Sequence, residues 1–285
     1  MRLGMHVSIE GSFPEAARRA KALGCECFQI FAGPPRNYSR RKPSHAERDE
    51  FRGLVGEHDL RPVVVHAGYL LHLLSKNPRV AKRSRSLMDA ELAVASNLGA
   101  DFYVMHPGSA GEDRARSLDT LCRTLSGLPP GGPVILLENS AHSGAGVGAD
   151  LRELGDVARR LDKNAKARFG IALDTAHAVG AGYDLSTKEA VGRSLGRIYR
   201  AVGRRRVRIV HANDSRVPVG SGRDLHEHIG RGHVGREGFG ALMSERTLAR
   251  VPFILETPID RPGDDKRNLA RLRRLAAAAG SGRRT

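Results

Sequence analysis

The chain has 285 residues, an ordinary length for one (β/α)8 barrel of about 250 residues and ample for a sizeable apolar core. No run nears the roughly 18 apolar residues of a membrane helix, and three scattered cysteines without a Cys-x-x-Cys exclude a disulfide framework. A net charge of +16 favours a polyanionic partner, whose counterions Lys and Arg displace, but composition alone gives equal weight to a plainer alternative, a solvated arginine-rich surface.

The elements are expected in this order. A strand over 3–8 leads to a helix over 13–23, where Ser12 and Glu15 form a capping box, Pro14 sits in the first turn and Gly24 is the stop. A strand over 27–31 is followed by a loop over 32–43 rich in Pro, Gly and Arg, then a helix over 45–57. Strands at 63–65, 102–105 and 134–137 alternate with helices at 80–98, 115–125 and 150–161. Strands at 171–173, 207–210 and 253–255 follow, with a helix at 188–202, a long loop to 235, a short helix at 239–244 and a last helix through Leu269, Leu272, Leu275 and Ala279. Strict alternation implies a parallel sheet, and eight units close it: an α/β fold, one (β/α)8 TIM barrel over 1–280 with a flexible tail at 281–285. The thiols read as structural residues of a reducing compartment; with no signal peptide in view, a cytoplasmic protein is expected.

Six of the eight apolar runs end on a metal-ligating type of side chain: His66, His106, Glu138, Asp174, His211 and Glu256. In a barrel these positions converge at the C-terminal face of the strands. His177 stands three residues past Asp174, and Asp224-x-His226 places two more donors on one side of an extended segment. Any one such residue is more often a hydrogen-bonded polar group than a ligand. Repetition at six strand ends argues otherwise, and four carboxylates in one mouth would repel without cations. Five imidazoles and four carboxylates suit zinc, manganese or iron better than calcium or magnesium. His6 is expected to support the ligands from behind. His142, His228 and His233 are candidates for substrate contact, whereas His45, His58 and His72 read as helix-face or loop residues.

These residues resemble the endonuclease IV family of apurinic/apyrimidinic endonucleases. The similarity runs from 4–8 (GMHVS) to 256–258 (ETP), with its most specific stretches at 138–144 (ENSAHSG), 173–184 (LDTAHAVGAGYD), 211–216 (HANDSR) and 224–230 (DLHEHIG). The resemblance implies three metal ions, usually zinc, with manganese or iron as alternatives at some sites. His66, His106 and Glu138 would hold the first; Glu138, Asp174, His211 and Glu256 the second; His177, Asp224 and His226 the third. It also implies a monomer without an obligate protein partner, acting on duplex DNA. The reaction implied is hydrolysis of the phosphodiester 5′ to an abasic site, leaving a 3′-hydroxyl and a 5′-deoxyribose phosphate, with Glu138 as the catalytic carboxylate. Arg36 and Tyr69 match the places of side chains that enter the duplex, and Arg40, Arg41 and Lys42 extend that loop as expected phosphate contacts, with Arg216 and Arg223 as further ones. Two departures, Ala176 where the family often has Cys and Ser140-Ala141-His142 in the Glu138 stretch, change no ligand. Two rivals remain: a sugar isomerase or epimerase on a related barrel, and a non-catalytic damage-binding protein. The first leaves His177, Asp224, His226 and the charge unexplained, and the second needs no multi-metal centre.

Overall fold

The computed structural model describes residues 1–141 and 146–281. Eight parallel strands, β1 (Leu3–His6), β2 (Cys27–Phe31), β3 (Val63–His66), β4 (Phe102–Met105), β5 (Val134–Glu138), β6 (Phe169–Asp174), β7 (Val207–His211) and β10 (Phe253–Leu255), close into a barrel in which β10 pairs with both β7 and β1. The outer layer comprises α1 (Phe13–Ala22), α2 (His45–Glu57), α3 (Pro78–Leu98), α4 (Arg114–Ser126), α5 (Leu151–Asn164), α7 (Lys188–Val202), α8 (Gly235–Ser244) and α9 (Asp264–Ser281). Two elements were expected only as turn and loop: the short helix α6 (Thr175–Gly180), and an antiparallel ribbon of β8 (Asp214–Ser215) with β9 (His226–Glu227) inside the excursion after β7.

Helix starts follow side-chain capping. Ser12 accepts from the Glu15 amide, as its capping-box position requires. Several helices begin earlier than apolar periodicity suggests, because the cap precedes the first buried residue. Asn77 caps α3 at Pro78, and Asp113 caps α4 at Arg114. Gly99 ends α3 in the left-handed conformation at φ 70°, where a Cβ is disfavoured.

Strand parity then decides which side chains face the barrel axis. One apolar cluster, containing Cys27, Val64, Val104, Leu136, Ala172, Ile209 and Ile254, fills the interior. Residues at the opposite parity, such as Phe28, Val65, Met105 and Leu137, pack outward against the helices in the main core. The position two residues beyond each interior residue points the same way and lies nearer the C-terminal mouth. Those positions hold Gln29, His66, His106, Glu138, Asp174, His211 and Glu256, and β1 adds His6 two residues after Gly4, which pairs in register with Cys27. A polar layer thus sits on an apolar plug. The three cysteines are free and buried, and no helix among the described residues is long and apolar enough to cross a membrane. Of the expected tail, 282–285 lies outside the described residues.

Candidate metal centre

Within the polar layer the structure brings the nine candidate ligands into three adjoining groups. In the first, His66 Nε2 and His106 Nε2 lie 3.1 and 3.3 Å from Glu138 Oε2. In the second, His211 Nδ1 lies 2.7 Å from Glu138 Oε1 and 3.5 Å from Glu256 Oε2, with Asp174 alongside. In the third, His177 Nε2 and His226 Nε2 each lie 3.2 Å from Asp224, and His226 Nε2 is 3.9 Å from Asp174 Oδ2. Donor atoms of His66, His106 and Glu138 all lie within 4.8 Å of one another; the same holds for Glu138, Asp174, His211 and Glu256, and for Asp174, His177 and His226. Glu138 therefore joins the first two groups and Asp174 joins the last two, which places Asp174 closer to the third group than its strand-end position suggests.

The third group depends on α6 and on the excursion after β7. Asp174 caps α6, its Oδ1 accepting from the His177 amide at 2.7 Å, and this turns the His177 ring into the mouth. The excursion returns over α6 through Gly220 N–H to Val179 O and Gly222 N–H to Gly180 O. A Cβ on Gly180 would come within 2.6 Å of Arg223 O, so only glycine permits the approach that sets Asp224 beside His177.

Four of the five rings have one nitrogen tied to an acceptor outside the groups. His66 Nδ1–H donates to Ala67 O, His177 Nδ1–H to Asn139 O, His226 Nδ1–H to Glu256 O and His211 Nε2–H to Gln29 Oε1. Each bond fixes the ring's orientation and turns the other nitrogen toward the carboxylates, so that on losing its proton it is aimed as a metal-ligating imidazole must be. His106 is the most open ring, with its side chain 49% exposed. Amides orient the carboxylates. Asn213 Nδ2 donates to Asp174 Oδ2 (2.6 Å) and Glu256 Oε2 (3.2 Å), Asn139 brackets the Asp174 backbone, and Gln29 donates to Glu256. These amides were not singled out in the sequence; the signal was Gln29, a lone amide inside an apolar strand. His6 touches Gln29 at 3.0 Å and stands behind the ligands.

Burial disfavours every charge here; pairing overrides it at several groups, while His106 is pushed down to about 4 by burial. His211 and His226 are driven to about 9 against burial, His211 by Glu256 and Glu138, His226 by Asp224 and Asp174. Burial would raise Glu138, but His106 and His211 hold it well below the usual carboxylate range. Glu256 is likewise pulled down to about 2, chiefly by His211, whereas for Asp174 burial wins and the shift is upward. Protons on His177, His211 and His226 thus supply positive charge that divalent cations would otherwise bring. The donor chemistry, the fixed ring orientations and the buried His226 Nε2, which faces Asp224 and Asp174 but makes no well-aligned hydrogen bond among the described residues, all fit metal ions.

The xylose isomerase-like TIM barrel family model matches residues 17–276. A probable endonuclease 4 of Solibacter usitatus is 37% identical over 98% of both chains, and one of Methanoculleus marisnigri is 37% identical over 97% of this chain and 99% of its own. The crystal structure of endonuclease IV from Thermus thermophilus is 35% identical, covers 98% of this chain and all of its own, and superposes with a TM-score of 0.85. The chain belongs to the endonuclease IV family. It is accordingly an enzyme, a nuclease-type hydrolase.

In this endonuclease IV family member the remaining candidates lie on the loops that follow the strands. Arg36 is exposed, and Tyr69 is 58% exposed with its ring edge-on to Phe31. The Tyr69 amide donates to Pro35 O at 2.9 Å, so the loops after β2 and β3 are fastened together. Arg40 departs from its expected role as a phosphate contact. Its side chain is 1% exposed and forms an ion pair with Glu91, and its guanidinium also donates to the carbonyls of Pro34, Asn37 and Ser39. Its guanidinium is thereby almost wholly used within the fold. Arg41 is exposed, but both terminal nitrogens are bound by Glu47 on α2. Arg216 is paired with Glu227, while Arg223 is exposed. His228 is buried between Asn268 and Asp260, which gives it a structural place rather than one facing substrate; His233 is exposed, and His142 lies outside the described residues.

Proposed function

We propose that the protein cuts duplex DNA at abasic sites, hydrolysing the phosphodiester on the 5′ side to leave a 3′-hydroxyl and a 5′-deoxyribose phosphate. The observation that carries this reading is the run of three ligand groups joined through Glu138 and Asp174 at the mouth of an endonuclease IV barrel. His66, His106 and Glu138 would hold one ion, Glu138, Asp174, His211 and Glu256 a second, and His177, Asp224 and His226 a third, zinc being the expected metal and Mn or Fe the alternatives. Such ions, when bound, activate water and neutralise phosphate charge.

The chain's own residues then have defined tasks. Glu138, fully buried, offers one oxygen to each of two groups and fixes their separation. Asn213 and Gln29 hold Glu256 and Asp174 from turning away. Arg36 and Tyr69, exposed on loops fastened to one another, would enter the duplex at the gap left by a missing base. An abasic nucleotide has no base to unstack, so turning it into the mouth costs little, and this supports the choice of lesion. In the net reaction water's oxygen joins phosphorus, the bond to the 3′-oxygen breaks, and that oxygen takes up a proton.

The test is nicking of an oligonucleotide duplex with one abasic site by wild type and Glu138→Gln. Loss of at least about 100-fold is expected, since an amide supplies neither the charge nor the second anionic oxygen. Near-normal nicking by the variant would refute the role. Counting bound metal separates the rival: three per chain fit this reading, and one or two fit a sugar isomerase.

A further inference from the structure

His6 ends β1 in the polar layer of the mouth, yet it belongs to none of the three ligand groups. Its Nδ1 faces the Gln29 side-chain nitrogen at 3.0 Å. The orientation of that amide is fixed from two other directions. Gln29 Oε1 accepts from His211 Nε2–H at 2.9 Å, and Gln29 Nε2 also donates to Glu256 Oε1. Turning the amide over would set its oxygen against the Glu256 carboxylate and its N–H groups against the His211 N–H. His6 Nδ1 is therefore an acceptor, the ring is neutral, and its proton sits on Nε2.

That second nitrogen is left over. His6 Nε2 has no hydrogen-bond partner among the described residues, and it is not one of the buried polar atoms that lack one. It therefore reaches solvent. The side chain is 19% exposed, and strand parity directs it into the mouth, two residues beyond Gly4. Its neighbours place it further. Glu256 Oε1 of the second group lies 3.9 Å from Nδ1. The ring also packs on Phe31, with centroids 4.4 Å apart, and Phe31 meets the His66 ring at 5.9 Å and the Tyr69 ring at 5.5 Å. His6 thus connects the ligand groups, through Phe31, to the loop that carries Tyr69.

An arginine or lysine in this place would be repelled by bound cations and would compete with them for Glu256. A neutral N–H does neither, and it still stabilises an oxygen on which negative charge grows during reaction. We propose that His6 Nε2–H donates a hydrogen bond to a non-bridging oxygen of the phosphate that is cut. This rests on the reading of the mouth as the place where a phosphodiester is hydrolysed. One nitrogen of His6 then supports the ligands through Gln29, and the other faces substrate.

Two variants separate the two nitrogens. In His6→Asn the side-chain oxygen still accepts from Gln29, but no donor reaches the mouth. In His6→Gln an amide N–H lies near the place of Nε2–H, and the contact with Gln29 is given up. Metal-loaded His6→Asn should melt within about 2 °C of wild type and keep its metal count. On a duplex with one abasic site its turnover at saturation should fall roughly 10- to 100-fold, with KM changed less. His6→Gln should nick faster than His6→Asn. The reverse order shows that the tie to Gln29 is what matters and overturns the proposal, as does loss of metal from His6→Asn. A second measurement does not depend on cutting. In metal-loaded wild type with isotope-labelled histidine, the His6 Nε2–H resonance is assigned by its absence from His6→Asn. Inorganic phosphate should move it downfield and slow its exchange with water, and a resonance that does not respond overturns the contact. Should wild type fail to nick while this resonance responds, the cutting reading fails and the phosphate contact stands.

Discussion

Glu91 is the residue whose removal is most informative about how the mouth is framed. It lies on α3 with no exposed surface. Its Oε1 accepts from Arg40 Nε (3.0 Å), Arg40 Nη2 (2.6 Å) and the Gly68 amide (3.1 Å), and its Oε2 accepts from the Tyr103 hydroxyl (2.7 Å). One carboxylate thus ties the β2 loop, the β3 loop, α3 and β4 together. Glu91→Ala leaves a buried guanidinium without its counter-charge, a loss of about 3–5 kcal/mol, well above the roughly 1 kcal/mol of an ordinary hydrogen bond. At about 2 °C per kcal/mol for a chain of this size, the melting temperature should fall by roughly 6–10 °C. Replacing both partners, Arg40→Met with Glu91→Leu, should cost less than either single change, because no buried charge then remains. Because the same carboxylate anchors Gly68 beside Tyr69, the folded single variant should also bind abasic duplex more weakly, with turnover at saturation changed less. Calorimetric melting of the metal-loaded protein and a titration of labelled duplex read both effects. A melting temperature within about 2 °C of wild type would show that the ion pair is not what holds the frame.

Three further outcomes are expected. His211 and His226, held near 9, and His177, held well above its usual range by Asp174 and Asp224, are protonated at neutral pH and must be neutral to bind a metal, so loading should expel about three protons and apparent metal affinity should rise with pH toward 9; calorimetric heats identical in buffers of different ionisation enthalpy would contradict this. Asp214→Ala removes the acceptor for the amides of Ser215, Gly230, Gly232, Val234 and Gly235, and should destabilise by about 2–4 kcal/mol while lowering bound metal toward two per chain; an unchanged metal count would show that the excursion carrying Asp224 and His226 does not depend on Asp214. Tyr69→Ala loses only an exposed edge-on ring contact, so melting should shift by less than about 1 kcal/mol while nicking of abasic duplex falls by roughly 10-fold or more; full activity would remove Tyr69 from the mechanism.

What the sequence made legible follows from which rule generates each part. The alternation of elements is written in local apolar periodicity and caps, and α2 and α7 have the bounds that periodicity predicts. Six ligand-type residues stood out because each directly ends an apolar run. The underlying rule is parity, since the mouth-facing position lies two residues beyond an interior one, and by that rule His6 and Gln29 complete the layer on all eight strands. Gln29 escaped because its strand continues through Ile30 and Phe31. Arg40 was misplaced for a different reason. A charge in an arginine-rich loop looks solvated, and its partner is 51 positions away on a helix where a glutamate ordinarily faces water.

The third group obeys neither rule. Only Asp174 comes to it from a barrel strand; His177 comes from a six-residue helix too short to show periodicity, and Asp224 and His226 come from the excursion after β7, His226 from its short ribbon. Barrel parity by itself therefore delivers two groups around Glu138, and the third is added by chain that leaves the barrel and returns across Gly180. A Cβ at that one position drives the returning segment off α6 and separates Asp224 from His177 without touching any strand. Whatever chemistry needs the third group is thus separable from barrel closure, because the excursion between β7 and α8 supplies Asp224 and His226 and the barrel strands do not.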